Sequence, residues 1–176
     1  MGTEKRAKPT ELNVDLTEKP FVIRRCNFND LEQVKEVNER ELPEDYPFFF
    51  YKSILDNFSE SFLVACNKSD MSEIMGYIMW RIERTPSTDS LKLVNKGHLV
   101  SIAVLKEWRR TGIATALLKK SMPQVKKHNI SEYVLEVRVS NYSAIKLYEK
   151  MDFEMQNIKK KYYRDGENAY FMVKTA

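Results

Sequence analysis

The 176-residue chain has little with which to bind a metal: two cysteines and two histidines. Cys26 and Cys66 stand far apart, and neither they nor His98 and His128 fall at a ligand spacing, so no metal site is expected. Two reduced, partly buried thiols are the expectation instead. No apolar run reaches the ~18 residues a membrane span needs. The opening MGTEKRAKPTELNVDLTEKP has no apolar h-region, and Ala7 follows Arg6 where a myristoylation signal wants Ser or Thr. A cytoplasmic protein with no membrane attachment is expected. No internal repeat is present. No Gly-Lys-Ser/Thr closes a phosphate loop, and the three-glycine dinucleotide fingerprint is missing.

What is there reads as one globular domain. Hydrophobic residues make up 43% and charged residues 31%, enough for a sizeable core. The formal net charge is a mild +4. In residues 1–19, Lys5, Arg6, Lys8 and Lys19 balance Glu4, Glu11, Asp15 and Glu18. This polar, aperiodic stretch is expected to be a flexible tail, with the domain running from 20 to 176. The charge excess lies further on, at Arg109-Arg110, Lys119-Lys120, Lys126-Lys127 and Lys159-Lys160-Lys161.

Periodicity gives the elements. PFVIRRC is a strand; Asn29 or Asp30 caps a helix that runs through Arg40 and stops before Pro43. LPEDYP is a loop, FFFYKSILDNF an aromatic helix, and SFLVAC and IMGYIMWRI a hairpin. TPSTDSLKLVNK reads as a polar insertion. GHLVSIAVL is a strand, TALLKKSMPQVKKH a helix, YVLEVRV a strand and SAIKLYEK a short helix. FEMQNIKKKYY and AYFMVK close the chain as strands around Asp165-Gly166. The order predicts a mixed α/β domain built on one sheet.

Two stretches carry chemistry. In VSIAVLKEWRRTGIATALL an apolar strand ends at Val104, and a helix opens near Thr111 or Gly112 behind Arg109-Arg110. Unpaired amides, the positive end of the helix dipole, two arginines and the small Gly112 and Ala114 suit a pyrophosphate. An ordinary strand-turn-helix accounts for the same residues equally well. In YVLEVRVSNYSAIKLYEKMDF, Glu136 and Arg138 share a strand face. That face looks either into a cleft or, if this is an edge strand, into solvent. Asn141 and Tyr148 lie two turns apart on one side of the next helix; Tyr148 alone reads as readily as a core aromatic.

Together these stretches resemble the GNAT superfamily of acetyltransferases, whose cofactor motif Arg/Gln-x-x-Gly-x-Gly/Ala is matched by Arg109, Gly112 and Ala114. LEVRVSNYSAIKLYEKMDF is similar to the N-terminal acetyltransferase branch. LPEDYP (Leu42 to Pro47) and KKYYRDGENAYFM (Lys160 to Met172) resemble NatA-type catalytic subunits and their archaeal homologues, with RimI-type enzymes as nearer cousins than other GNATs. The first 19 residues and Thr85–Asn95 lie outside the resemblance, and Asn168 stands where relatives more often carry Asp.

The resemblance implies a single, mostly antiparallel central sheet with a splayed parallel pair, flanked by helices. It implies acetyl-coenzyme A as co-substrate and protein N-termini beginning Ser, Ala, Thr or Met as acceptors. A monomer is expected, with ribosome association left open and no obligate nucleic acid. For the cofactor it implies Ile102, Ala103 and Val104 at the strand end, with the Val104 amide facing the thioester carbonyl. Arg109, Arg110, Thr111, Gly112, Ile113, Ala114 and Thr115 form the pyrophosphate loop, with Asn141 and Tyr148 beside the coenzyme. For the acceptor it implies Leu42, Glu44, Tyr46, Arg138, Tyr162 and Tyr163. An α-amine with a pKa of ~7.7–8.0 must lose a proton before it attacks. Glu136, Glu44 and His98 are the candidate bases, Glu136 favoured by its strand position and Glu44 second. Tyr148, neutral near pH 7, can donate to the departing thiolate. On Tyr162 and Tyr163, alternation along a strand sends only one to the substrate. Two other readings compete: a lysine or small-amine acetyltransferase, and a non-catalytic ribosome- or RNA-binding module.

Overall fold

The computed structural model describes residues 16–176. The expected tail up to residue 15 lies outside the described residues. Its last residues belong to the fold: Leu16 packs against the core, and Lys68 Nζ donates to the Thr17 carbonyl at 2.6 Å.

The elements are β1 (Phe21–Arg25), α1 (Leu31–Glu41), α2 (Phe48–Phe58), β2 (Leu63–Asn67), β3 (Ile74–Pro86), β4 (Leu93–Val104), α3 (Ile113–Lys126), β5 (Glu132–Arg138), α4 (Tyr142–Lys150), β6 (Glu154–Lys159) and β7 (Ala169–Thr175). The strands form one seven-stranded sheet in the order β1-β2-β3-β4-β5-β7-β6. Every neighbouring pair is antiparallel except β4 and β5. This is the mixed sheet with one parallel pair that the resemblance implies.

Each sheet face has its own core. Trp80, Leu99, Tyr133 and Leu135 pack under α3 with Leu117 and Leu118. Tyr77, Met79, Val64 and Phe62 pack under α1 and α2 with Leu31, Val34 and Tyr51. Trp80 is fully buried, and its indole N–H is satisfied by Ser121 Oγ at 2.9 Å, as an amphipathic ring in a core requires. Cys26 and Cys66 are both free and buried.

Four local expectations change. Neither Asn29 nor Asp30 caps α1 through its side chain. Asn27 caps a 3-10 turn at Phe28–Asp30, and the Asp30 carboxylate is taken by the Asn27 amide and by Arg24 at 2.6 and 2.8 Å. A bidentate guanidinium outbids the helix amides for that carboxylate. The polar insertion is partly strand: β3 and β4 extend into it and pair through Pro86↔Leu93, leaving residues 87–92 as the hairpin tip. Its tip is pinned by Glu132, which accepts from Ser87 Oγ, Thr88 N and Thr88 Oγ1 at 2.8, 2.9 and 2.7 Å. Val139 lies outside β5, which ends at Arg138. β6 ends at Lys159, so Tyr162 and Tyr163 sit in a loop and strand alternation does not apply to them.

The parallel pair is short. Only Lys96–His98 pairs with Glu132–Val134. Beyond that point β4 carries an extra residue, Val100, because Met79 faces Ser101 while Trp80 faces Leu99. Such a bulge bends its strand, and β4 departs from β5 as it runs toward Val104.

Candidate active site

The splayed end of β4 opens a cleft of about 870 Å³. Leu105 N–H donates to the Met75 carbonyl at 2.9 Å, which makes Gly76↔Val104 a non-hydrogen-bonded pair of the antiparallel ladder. The amides of Val104 and, by alternation, Ile102 therefore point away from β3, toward the side β5 has left. Ile102, Ala103 and Val104 form one wall of the cleft. α3 forms its end. Gly112 precedes the helix with φ 90°, a left-handed conformation that costs glycine little. No described side chain caps α3, so its first amides are turned to the cleft end for an anion. Arg109, Arg110, Ile113, Ala114 and Thr115 line this end with Gly112. Thr111 does not; its hydroxyl donates to the Trp108 carbonyl at 2.6 Å and braces the turn.

α4 supplies the opposite wall. Asn141 lines the cleft while its side chain caps α4 by accepting from the Ala144 amide at 3.3 Å. Tyr148 also lines the cleft and is 5% exposed. Burial holds its phenol above the ordinary value, so the hydroxyl stays protonated and can act as a donor. No described residue hydrogen-bonds it.

The other sheet face carries a string of paired charges. His98 lies between two carboxylates, with Nδ1 2.9 Å from Glu83 and Nε2 2.6 Å from Glu136. Burial works against the imidazolium, but the bonds and charges of Glu136 and Glu83 outweigh it and raise the His98 pKa. Glu136 feels burial upward most strongly as a single effect; His98 and Lys159 together reverse it and pull the carboxyl down to about 2. Both its oxygens are taken, one by His98 and one by Lys159 Nζ at 2.6 Å. The strand face expected to look into a cleft or solvent is thus covered by its own partners.

Arg138 ties the loops over this face. It donates to Glu44, to Asp165 at 2.8 Å and to Glu167 at 2.9 Å, and its guanidinium lies 4.1 Å over the Tyr163 ring. Tyr46 stacks on Phe50 at 4.7 Å and meets Tyr51 edge-on at 5.9 Å. Tyr162 and Tyr163 stand edge to face at 5.0 Å. Burial chiefly raises the phenols of Tyr46, Tyr162 and Tyr163, and the charge of Glu136, with that of Glu44 at Tyr46 and Tyr163, adds to it. Leu42 joins the two regions: it lines the cleft at the head of the loop that carries Glu44 and Tyr46.

An acetyltransferase (GNAT) family model matches residues 28–153, most of the chain. The protein belongs to the GNAT family. It is 45% identical over 162 residues to a protein of Saccharolobus solfataricus called N-alpha-acetyltransferase, covering 88% of this chain and 92% of that one. Among solved structures it is similar to Ard1 from Thermoplasma volcanium at 26% identity and TM-score 0.76, covering 89% of this chain and 98% of that one. It is also similar to Chaetomium thermophilum Naa20 in complex with a bisubstrate analogue, at 27% identity and TM-score 0.74, covering 88% and 86%.

Sequence reasoning about this GNAT chain missed Glu41, Trp108, Ser143, Lys146, Leu147 and Lys150, all of which line the cleft. Lys146 and Lys150 lie one turn apart on α4 but two residues to either side of Tyr148, so helical spacing gave no reason to group them with it. Glu41 carried no signal, because nothing in its neighbourhood ties the end of α1 to a loop beyond β4. Glu83 and Lys159, which flank the His98–Glu136 pair, were hidden for the same reason. No described helix is long and apolar enough to cross a membrane. Among the described residues no group of His, Cys, Asp and Glu is arranged to hold a metal.

Proposed function

We propose that the protein acetylates the N-terminal α-amine of proteins, with acetyl-coenzyme A as donor and the two bound in one ternary arrangement. The observation that carries this is the join at Leu42. A cleft with strand amides turned toward it and a helix end that no described side chain caps meets, at that residue, the loop that carries Glu44 and Tyr46 to Arg138. The names of the relatives point the same way.

Bound acetyl-coenzyme A supplies the activated acyl group. The backbone amides of Ile102 and Val104 hold its arm along β4, and the α3 amides with Arg109 and Arg110 hold its pyrophosphate. Val104 N–H stabilises negative charge that develops on the carbonyl oxygen, which is the larger electrostatic contribution of the chain. Tyr148 donates its proton to the departing sulfur. Arg138 holds Glu44 and the 160–168 loop over the incoming peptide N-terminus.

Glu44 is the proton acceptor that the geometry favours, reversing the order drawn from strand position. Among the described residues only its Oε1 is engaged, by Arg138, whereas Glu136 has both oxygens bonded and a pKa pulled to about 2. A carboxylate held that low accepts a proton poorly. Glu136 and His98 act as one coupled pair that fixes the pocket floor. The protein acts as a single chain, because its own Tyr46, Phe50 and Arg138 brace the loop that carries Glu44. Cytoplasmic location and docking at the ribosome accord with nascent N-termini as substrates.

The test is to incubate the protein with acetyl-coenzyme A and peptides starting Ser, Ala, Met-Leu and acetyl-Ser, each with an internal lysine, and to map the acetyl group by mass spectrometry. Acetylation confined to free N-termini is expected. Acetyl groups on the internal lysine, with equal turnover of the acetyl-Ser peptide, would overturn the reading.

A further inference from the structure

The coenzyme cleft contains a feature that its proposed ligand makes puzzling: a carboxylate. Glu41 lines the same cavity as the arginines and the open end of α3. Its side chain is only 8% exposed, so water screens it weakly, and an anion at the entrance to an anion site opposes the ligand. Two contacts hold it there. One oxygen accepts from the Lys106 amide at 3.1 Å, and the other from Arg109 Nη2 at 2.5 Å.

Arg109 is the first residue of the motif expected to grip the pyrophosphate, yet two of its three guanidinium nitrogens are engaged within the protein. Besides Glu41, its Nε donates to the Val104 carbonyl at 3.3 Å. That carbonyl belongs to the strand edge freed by the splay. Arg109 thus lies along the edge where the coenzyme arm is to pair, and Glu41 keeps it there. A charge-assisted bond between a guanidinium and a screened-off carboxylate is among the stronger contacts a side chain makes.

We propose that Glu41 is a positioning residue that competes with the coenzyme for Arg109: it holds the arginine along the cleft edge until the pyrophosphate takes it. The inference rests on the coenzyme reading given above. It has a second consequence. Glu41 ends α1 and precedes Leu42, so the acidic anchor of the donor cleft and the head of the acceptor loop are consecutive residues. Release of Arg109 removes one of the two side-chain contacts that hold Glu41 among the described residues.

Coenzyme A binding by calorimetry tests the competition without reference to turnover. The full chain is compared as wild type, Glu41→Gln, Arg109→Ala and the double variant, each first checked for an unchanged thermal midpoint. Arg109→Ala is expected to weaken binding about tenfold, the loss of one charge-assisted contact. Glu41→Gln keeps an acceptor for the Lys106 amide but removes the charge, and is expected to tighten binding roughly three- to tenfold. In the Arg109→Ala background the same substitution is expected to tighten it far less, the non-additivity of two residues that act on each other. Weaker or unchanged binding in Glu41→Gln, or equal tightening in both backgrounds, overturns the competition. Glu41→Asp is the second variant if the glutamine form melts early; it retains the charge and is expected to bind no tighter than wild type. Failure of wild type to bind coenzyme A at all would instead strike the proposed function.

Discussion

The β4–β5 pair behaves in opposite ways at its two ends. At Lys96–His98 it is zipped to Glu132–Val134 and sealed by a buried ion pair, Lys96 Nζ to Glu132 Oε2 at 3.1 Å. Burial pushes the Glu132 carboxyl upward, but bonds from Thr88, Ser87 and Lys96 more than reverse it, to about 2. α3 presses on this end so closely that a Cβ on Gly97 would come 2.4 Å from Val125 Cγ1. At Ile102–Val104 the same strand has no β5 beside it, and its polar groups face a cleft. The closed end fixes where the open end begins. One sheet can carry both because a bulge at Val100 bends the strand after pairing is secured.

The comparison can be broken most severely at the closed end. Lys96→Ala leaves Glu132 buried without its cation, and such losses cost about 3 kcal/mol or more. A drop of that size in denaturant-derived stability is expected, against little change for a surface lysine such as Lys120→Ala. Equal effects would show that the pair seals nothing. At the open end, Tyr148→Phe is expected to lower kcat about 100-fold while leaving coenzyme A affinity within about twofold, the signature of a proton donor used only as the thiolate leaves. Unchanged kcat would return Tyr148 to the core. Arg138→Ala frees Glu44 and the 160–168 loop together, and a roughly tenfold rise in peptide KM with acetyl-coenzyme A KM unaltered is expected.

The smallest effect is one of pH. His98 gains proton affinity on folding, so its contribution to stability is whole below its unfolded pKa of 6.5 and fades as pH rises through the higher folded value. Glu136 loses proton affinity, so its contribution is whole above 4.5 and fades as pH falls toward about 2. The His98–Glu136 pair is therefore strongest between those limits. The stability gap between wild type and His98→Gln is expected to peak near pH 5 to 6, measured as urea midpoints across pH 4 to 9; a flat gap would show that the pair is not charged.

Legibility divided along the same line. The end of β4, the small residues before α3 and the Asn141–Tyr148 spacing are local signals, and the cleft collects them nearly as expected. Glu136 was legible as a charge on a strand face turned to a cleft or to solvent, but the partners that cover it were not. Lys159 bonds it directly and Glu83 acts on it through His98, each from a strand distant in the chain that only sheet order brings near. Tyr162 and Tyr163 misled because a β-rich run of residues continues past Lys159, while the chain itself turns into the 160–168 loop, where Arg138 and Asn168 hold it.

By itself the sequence determined the elements, the α/β order and the family, because hydrophobic period, helix-end chemistry and short motifs act within a few residues of one another. Tertiary structure alone decided which charges meet. A carboxylate between an imidazolium and an ammonium, or one set against a motif arginine, acquires its role from neighbours brought in by topology. Coulomb interactions in a buried setting are settled by distance in space, which the order of residues does not record.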